Sequence, residues 1–332
     1  MTFSELLVLG AGPAGCTAAI HARQQGRTVT LVEKNSSAVP GPGETFHPGI
    51  EKIFEKLGIA EDVAAQSSDR HTGIWREEGS TRQFLQYSEC ESESWYGYQI
   101  NRRDFQQILI ERVRKFGVDV FLGEVPKRVL YRGKYVRGIE TTTGKKYYAD
   151  WTLDATGRRG WLANQLDLKA VVQSEPKSGS FGWVESTPAF GSSPVLKKRD
   201  DGWDWHAPLG SGQTAWVKLR NTDKNKFDFT WYLTERSGGS GYLLLGDAAG
   251  TLDPSSSKGV LRAMMSGMMS AHLIGFAQDK KLTRRNVVDL YTQWFTEFYK
   301  HESSRLDEEN ANSHLSDSKA HPLSTISQQE ED

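Results

Sequence analysis

The chain has 332 residues, 37% of them apolar and 25% charged, which is long enough to bury a real core and to hold two domains. Its formal net charge is −1, but the charge is uneven: residues 301–332 hold eight acidic and two basic side chains, leaving 39 basic against 34 acidic in the body. That small, scattered excess suits an anionic cofactor and excludes the clustered basic face of a nucleic-acid-binding protein.

In chain order, the first element is an apolar run at residues 5–9, expected as a buried strand; no charged leader or cleavage site precedes it, so no signal peptide is read. Gly10-Ala11-Gly12-Pro13-Ala14-Gly15 follows as G-x-G-x-x-G, then a helix over 16–25 closed by Gly26, a second strand over 28–32, and Glu33 at its end. Gly10 permits the tight turn, Gly12 lets the backbone approach a pyrophosphate, and Gly15 lets helix and strand pack closely. The helix start supplies free N–H groups and positive dipole to phosphates, and Glu33 is placed to accept hydrogen bonds from ribose hydroxyls. In this order the pieces describe a dinucleotide site, for NAD(P) or FAD.

A Pro/Gly-rich loop at 39–49 has enough turn formers to hold irregular backbone near a ligand, and short helices are expected over 50–57 and 60–66. His47 and His71 are the histidines nearest this region, and a structural or surface role is the commoner one for each. Residues 75–98 read as short β pieces interrupted by Glu89, Glu91 and Glu93. Residues 100–113 form an amphipathic helix opened by Asn101, with Phe105, Ile108, Leu109 and Val113 on one face. A strand over 118–121, a three-stranded antiparallel meander over 125–148 and a strand over 151–155 follow.

Residues 170–232 change character, with Gly/Ser/Pro turns and five of the ten tryptophans, Trp183, Trp203, Trp205, Trp216 and Trp231. This reads as a separate antiparallel sheet whose inner face looks onto a pocket. A strand over 242–245 then meets a second glycine turn, residues 246–250, and residues 253–259 lead into a helix over 260–278. That helix holds Arg262 and His272, so it reads as buried and not as a membrane span. A last helix is expected over 286–305, and the polar stretch beyond Glu308 reads as disordered. Two cysteines, Cys16 and Cys90, make no disulfide framework; Cys16 is expected as a small packing residue, and a reducing cytoplasm as the compartment. No metal-ligand pattern and no repeat is read.

Four segments, the G-x-G-x-x-G with Glu33, Gly43-Glu44-Thr45, Leu153-Asp154-Ala155-Thr156-Gly157-Arg158, and Gly246-Asp247-Ala248-Ala249 through Gly259, together resemble the FAD-dependent monooxygenase superfamily of the p-hydroxybenzoate hydroxylase fold. That superfamily includes the flavin-dependent halogenases and geranylgeranyl-reductase-like enzymes. The resemblance implies an α/β fold: a Rossmann-like FAD-binding domain with a parallel sheet and an antiparallel meander, drawn from 1–75, 97–169 and 241–308, and a small antiparallel substrate domain from 76–96 and 170–240, with 309–332 as a tail. It implies FAD held by Gly10, Gly12, Pro13, Ala14, Gly15, Glu33, Lys34, Glu44, Thr45, Arg102, Val125, Gly157, Gly246, Asp247, Pro254, Gly259 and Val260. Asp247 would bind the ribityl chain, Arg102 would lie at the phosphates or ribityl, and residues 123–125 near the adenine. The helix starting at Gly259 would turn its positive end to the charged edge of a reduced flavin.

Residues 252–261, followed by Met264 and Met265, are similar to small flavoproteins associated with maturation of quinone-cofactor oxidases, in which a protein tryptophan is the substrate. Lys258 departs from the pattern, where a small residue is more usual, and is expected to face solvent. Trp203-Asp204-Trp205-His206-Ala207-Pro208 resembles the halogenase W-x-W-x-I-P signature, departing at Ala207, and residues 70–75 lack the lysine that resemblance would place there. Halogenation therefore ranks second. The first reading is a monooxygenase: FAD is reduced by NAD(P)H or a reductase, O2 gives a flavin hydroperoxide, and oxygen passes to an electron-rich aromatic group, on a small molecule or a partner protein. Trp203, Trp205, His206 and His47 are the candidates nearest that chemistry. A reading of another class is an FAD-containing partner that holds a client without turnover. Neither nucleic acid nor membrane is expected as a partner.

Overall fold

The first apolar run becomes β1 (Thr2–Leu9), in which Leu6, Leu7, Val8 and Leu9 are all buried. A strand apolar on both faces needs a partner on each edge and cover above and below. It finds parallel partners in β2 (Val29–Glu33) and in β10 (Lys146–Asp154), registered Leu9↔Val32 and Leu9↔Asp154. The sheet runs β18 (Gly238–Gly239), β19 (Tyr242–Leu244), β10, β1, β2, β7 (Asp119–Leu122), and β10 also carries the hairpin of β8 (Pro126–Arg132) and β9 (Tyr135–Thr141). This computed structural model describes residues 2–67, 70–87, 95–185, 191–209, 212–222 and 227–317.

Helices cover the sheet. α1 (Pro13–Gln24) lies against α6 (Gly259–Asp279) so closely that a Cβ on Gly267 would stand 2.3 Å from the Ala14 carbonyl oxygen. α7 (Arg284–Asp317) packs next, burying Tyr291, Phe295 and Tyr299, and its Tyr291 hydroxyl donates to the Leu244 carbonyl at 2.9 Å. On the other side of α1, Phe46 of β3 (Glu44–Phe46), Phe54 of α2 (Glu51–Leu57) and Phe105 of α4 (Arg102–Lys115) pack ring on ring. β3 pairs with β6 (Tyr98–Ile100), and two short helices, α3 (Ala60–Gln66) and α5 (Trp161–Gln165), complete the helical part.

A second, seven-stranded sheet runs β16 (Phe227–Asp228), β12 (Ser178–Glu185), β15 (Gln213–Arg220), β14 (Gly202–Pro208), β13 (Val195–Arg199), β4 (Gly73–Glu78), β5 (Thr81–Gln86). Its pairs are antiparallel except β13 with β4, which run parallel at Val195↔Trp75. A three-stranded sheet of β11 (Ala170–Val172), β17 (Tyr232–Thr234) and β20 (Gly250–Thr251) links it to the first.

Three expectations change here. The third meander strand and the strand over 151–155 are one, because β10 pairs antiparallel with β9 in its first residues and parallel with β1 along its length. The last helix does not stop near residue 305 or give way at 309: its backbone is helical to Asp317. Lys258 does not face solvent but reaches α7. Cys90, Glu89, Glu91 and Glu93 lie outside the described residues. α6 is long and apolar enough to cross a membrane by length and composition; here it packs on α1 with Arg262 buried near its start.

Because the Gly267 contact is with backbone, a methyl there cannot be absorbed by a rotamer change. Gly267→Ala is expected to destabilise the fold by about 1–3 kcal/mol through overpacking, read as a lower urea midpoint with the slope unchanged.

Candidate functional site

The strand ends Leu9, Val32, Asp154 and Leu244 lie on one edge of the parallel sheet, the place where open α/β sheets take ligands. There the first glycine turn, the 39–45 loop and the start of α6 meet the inner face of the second sheet around a cavity of about 920 Å³.

The turn behaves as its glycines require. Gly10 sits at φ +100°, and a Cβ on it would meet the Ala155 carbonyl oxygen at 2.4 Å. Gly12 has φ −81° and nothing within 4 Å of where its Cβ would be, so the space above it is open. It caps α1 without a side-chain hydrogen bond and with Pro13 next, leaving the first N–H groups of the helix turned to the cavity. Gly15 lines nothing; a Cβ there would stand 2.0 Å from the Gly10 carbonyl oxygen, so its role is packing alone.

Glu33 is buried at the end of β2, and its carboxylate accepts from the Ala11 N–H at 2.9 Å and from Asn35 through the backbone N–H at 2.9 Å and the side-chain amide at 2.7 Å. A carboxylate offers about four acceptor positions. Glu33 therefore braces the glycine turn first and keeps room for one hydroxyl. Beside it Lys34 lines the cavity, its ammonium pushed below the ordinary lysine range by burial and then by the Arg159 charge. Val125, Gly157, Trp161 and Asn164 close this part of the wall.

Further along, Arg102 at the start of α4 reaches Glu44 at 3.2 Å, its stem passing over Gly41, where any side chain would meet it. Burial holds the Glu44 carboxyl above its usual range, opposed by Arg102 and reinforced by Asp247. The Asp247 carboxylate pairs with Arg262 at 3.2 Å, and its backbone carbonyl accepts from the Tyr232 hydroxyl. Two buried polar atoms on cavity-lining residues have no protein partner, Thr45 Oγ1 and Arg262 Nε. Gly246, expected in contact with the ligand, instead lies at φ +54° close against Ala14 and Ala263 and gives its N–H to Ser266 at 2.8 Å. Pro254, Ser257, Gly259 and Val260 line the cavity where α6 begins.

The opposite wall is aromatic: Phe181, Trp203, Trp205, Phe227 and Phe229. Trp203 and Trp205 share a face of β14, and Trp203 Nε1 donates to Asp253 Oδ1 at 3.0 Å, tying this wall to the loop before α6. Strand alternation turns Asp204 and His206 the other way, where Asp204 holds Arg199 and Arg220. His206 thus stands off the cavity among Asp204, Lys197 and Lys218, a correction to its place among the candidates. His47 is off it too, its Nδ1 accepting the Gly49 N–H at 3.1 Å to cap the turn that precedes α2. Sequence reasoning did not single out Phe181, Phe227, Asp228 or the binding side of Arg158 and Arg262. For Arg262 the signal was present: an arginine three residues into an apolar helix has to meet something.

The residues present fit a dinucleotide with a ring system at one end. They supply an open glycine turn, two helix starts, the unpartnered Thr45 Oγ1 and Arg262 Nε, and a flat aromatic wall. The family model described as FAD dependent oxidoreductase matches residues 5–308. A tryptophan 2-halogenase from Chondromyces crocatus is 27% identical over 324 residues, covering 81% of this chain, which spans 60% of that relative's length. A 1H-pyrrole-2-carbonyl-[peptidyl-carrier protein] brominase from Pseudoalteromonas luteoviolacea is 24% identical over 321 residues, covering 83% of this chain and 78% of the relative. Among solved structures, the myxobacterial chondrochloren halogenase CndH superposes with TM-score 0.82 at 20% identity, covering 92% of this chain and 82% of its own. The flavin-dependent brominase Bmp2 gives 0.78 at 20% identity, covering 89% and 84%.

Gly12→Val is expected to abolish FAD binding while the fold stands, since its φ tolerates a side chain and the added branches enter only the open space; a folded variant that binds FAD as the wild type does would contradict this. A second expectation concerns His71, which is buried, gives Nδ1–H to the Gly73 carbonyl at 3.0 Å and leaves Nε2 without a partner. Burial lowers its pKa to about 4, against an ordinary value near 6.5. Between the two values the unfolded chain binds a proton that the folded chain refuses. Stability is therefore fully present above pH ~6.5 and falls toward pH ~4, by on the order of 3 kcal/mol from this group. His71→Gln should flatten the urea-derived stability against pH in that window.

Proposed function

We propose a reaction for this chain, which belongs to the FAD-dependent oxidoreductase family: oxidative substitution on an electron-rich aromatic ring held against FAD, with halogenation, in which O2 and reduced FAD oxidise the halide, as the first reading. The observation that carries it is one cavity shared by a dinucleotide cradle and the wall of Phe181, Trp203, Trp205, Phe227 and Phe229. Halogenation draws its support from the named activities of the relatives and reverses the ranking read from the sequence. Oxygen transfer is the second reading, supported by the lining itself: among the described residues the only lysine on the cavity is Lys34, next to Glu33, with no amine on the aromatic side.

When bound, FAD supplies the electron transfer and the reaction with O2. The chain's own residues bind and shield it. The glycine turn takes the pyrophosphate, Asp247 and the Glu44–Arg102 pair hold the chain between the two ends, and the start of α6 with Arg262 faces developing negative charge. The seven-stranded cover excludes water from the aromatic side. NAD(P)H or a separate reductase is the proposed electron source. The acceptor is an aromatic ring, either free or borne on a partner protein.

The test supplies the FAD-loaded protein with reductant, O2 and either free indoles, phenols and pyrroles or candidate proteins, with and without bromide or chloride. Products are followed by mass. Replacement of hydrogen by halogen, dependent on halide, is the expected result. A gain of one oxygen regardless of halide would move the assignment to hydroxylation, and absence of any product with bound FAD intact would leave only the non-turnover partner. Asp247→Ala is expected to weaken FAD by about 1.5–3 kcal/mol, roughly tenfold to a hundredfold or somewhat more in Kd, measured by fluorescence titration.

A further inference from the structure

We infer that Glu302 is a positioning residue for the flavin end of the cavity, acting through Lys258; this rests on the FAD reading above. Lys258 lies between two residues that line the cavity, Ser257, held at φ +55°, and Gly259, the first residue of α6. Its own ammonium goes the other way, to Glu302 on α7, at 3.0 Å from one carboxylate oxygen and 3.4 Å from the other. Both side chains are shielded, 15% and 12% exposed. The other basic side chains facing Glu302, His301 at 3.6 Å and Arg305 at 3.9 Å, are 70% and 50% exposed, so water screens them.

The rest of the loop is held from both sides, by α7 and by the aromatic wall. The Tyr299 hydroxyl, three residues before Glu302 on α7, donates to the Thr251 carbonyl at 3.0 Å, and Trp203 fixes Asp253. On the cavity side Arg262 has its own carboxylate in Asp247. Each of the two cations flanking the start of α6 is thus matched by one acid, and the helix end presents its N–H groups without a net side-chain charge beside them. Removing one member of a shielded pair leaves the other uncompensated. Loss of Glu302 therefore leaves an ammonium next to a helix N-terminus that is already positive. That excess favours the electron-rich form of the cofactor, which carries negative charge. Glu302 holds the flavin's electron affinity down while anchoring the loop through Lys258.

The experiment is the midpoint potential of bound FAD in wild type, Glu302→Gln, Lys258→Met and the double variant. The expected pattern is a more positive potential in Glu302→Gln, a more negative one in Lys258→Met, and a return toward wild type in the double. A Glu302→Gln potential equal to wild type, or an upward shift of the same size in the double variant that lacks the lysine, overturns the inference. Should Glu302→Gln fail to fold, Lys258→Met decides alone, a lowered potential supporting the pair and an unchanged one overturning it. A wild-type chain that takes up no FAD overturns both this and the proposed function, whereas a loaded wild type whose variants do not shift removes only the Glu302 role.

Discussion

The whole arrangement depends on two helices touching through their backbones. Gly15 and Gly267 carry no side chain where α1 meets β1 and α6, and Gly246 fits against Ala14 and Ala263 in the same seam. Without those gaps the starts of α1 and α6 would be pushed apart; with them, both open onto one cavity. Two positive dipole ends aimed at one space repel each other. The arrangement is complete only when something anionic lies between them, and Glu33, Glu44 and Asp247 are spent on other donors and cations rather than on the helix ends. The same close packing that forms the core therefore sets the charge of the ligand.

How much of this was legible in the sequence divides along physical lines. Local rules were readable: the glycine turn, the Asn101 cap, whose side chain accepts from the Arg103 N–H at 2.9 Å, and the apolar parallel strands. They were readable because each depends on residues within a turn or two of one another. What failed depends on partners far along the chain. Nothing near Lys258 announces Glu302, and nothing in β4 announces that Trp75 will sit beside Val195. The continuity of β10 was hidden for a related reason: one strand served two edges with opposite polarity, so its pattern looked like two elements.

The aromatic wall teaches the opposite lesson. Period-two alternation was available from the start and would have separated Trp203 and Trp205 from His206 once the tryptophans were taken as inward. The histidine was kept by its nearness in sequence to the signature. His47 was kept by its nearness to the glycine-rich loop, yet the side chain is occupied as a cap for the Gly49 N–H. In both cases a chemically capable residue stood within a few positions of the site and was directed elsewhere by backbone geometry.

The buried thiol under the first turn carries one more consequence. Cys16 has no exposed surface, and its sulfur lies 3.4 Å from the Ala11 carbonyl oxygen, the residue whose N–H Glu33 holds. Burial, and after it the Glu33 charge, push its ionisation far upward, so alkylating reagents, which need a thiolate, find none while the turn is closed. Any labelling of this sulfur reports an opening of the seam between β1 and α1. The residue is a built-in clock for local unfolding beneath the glycine turn.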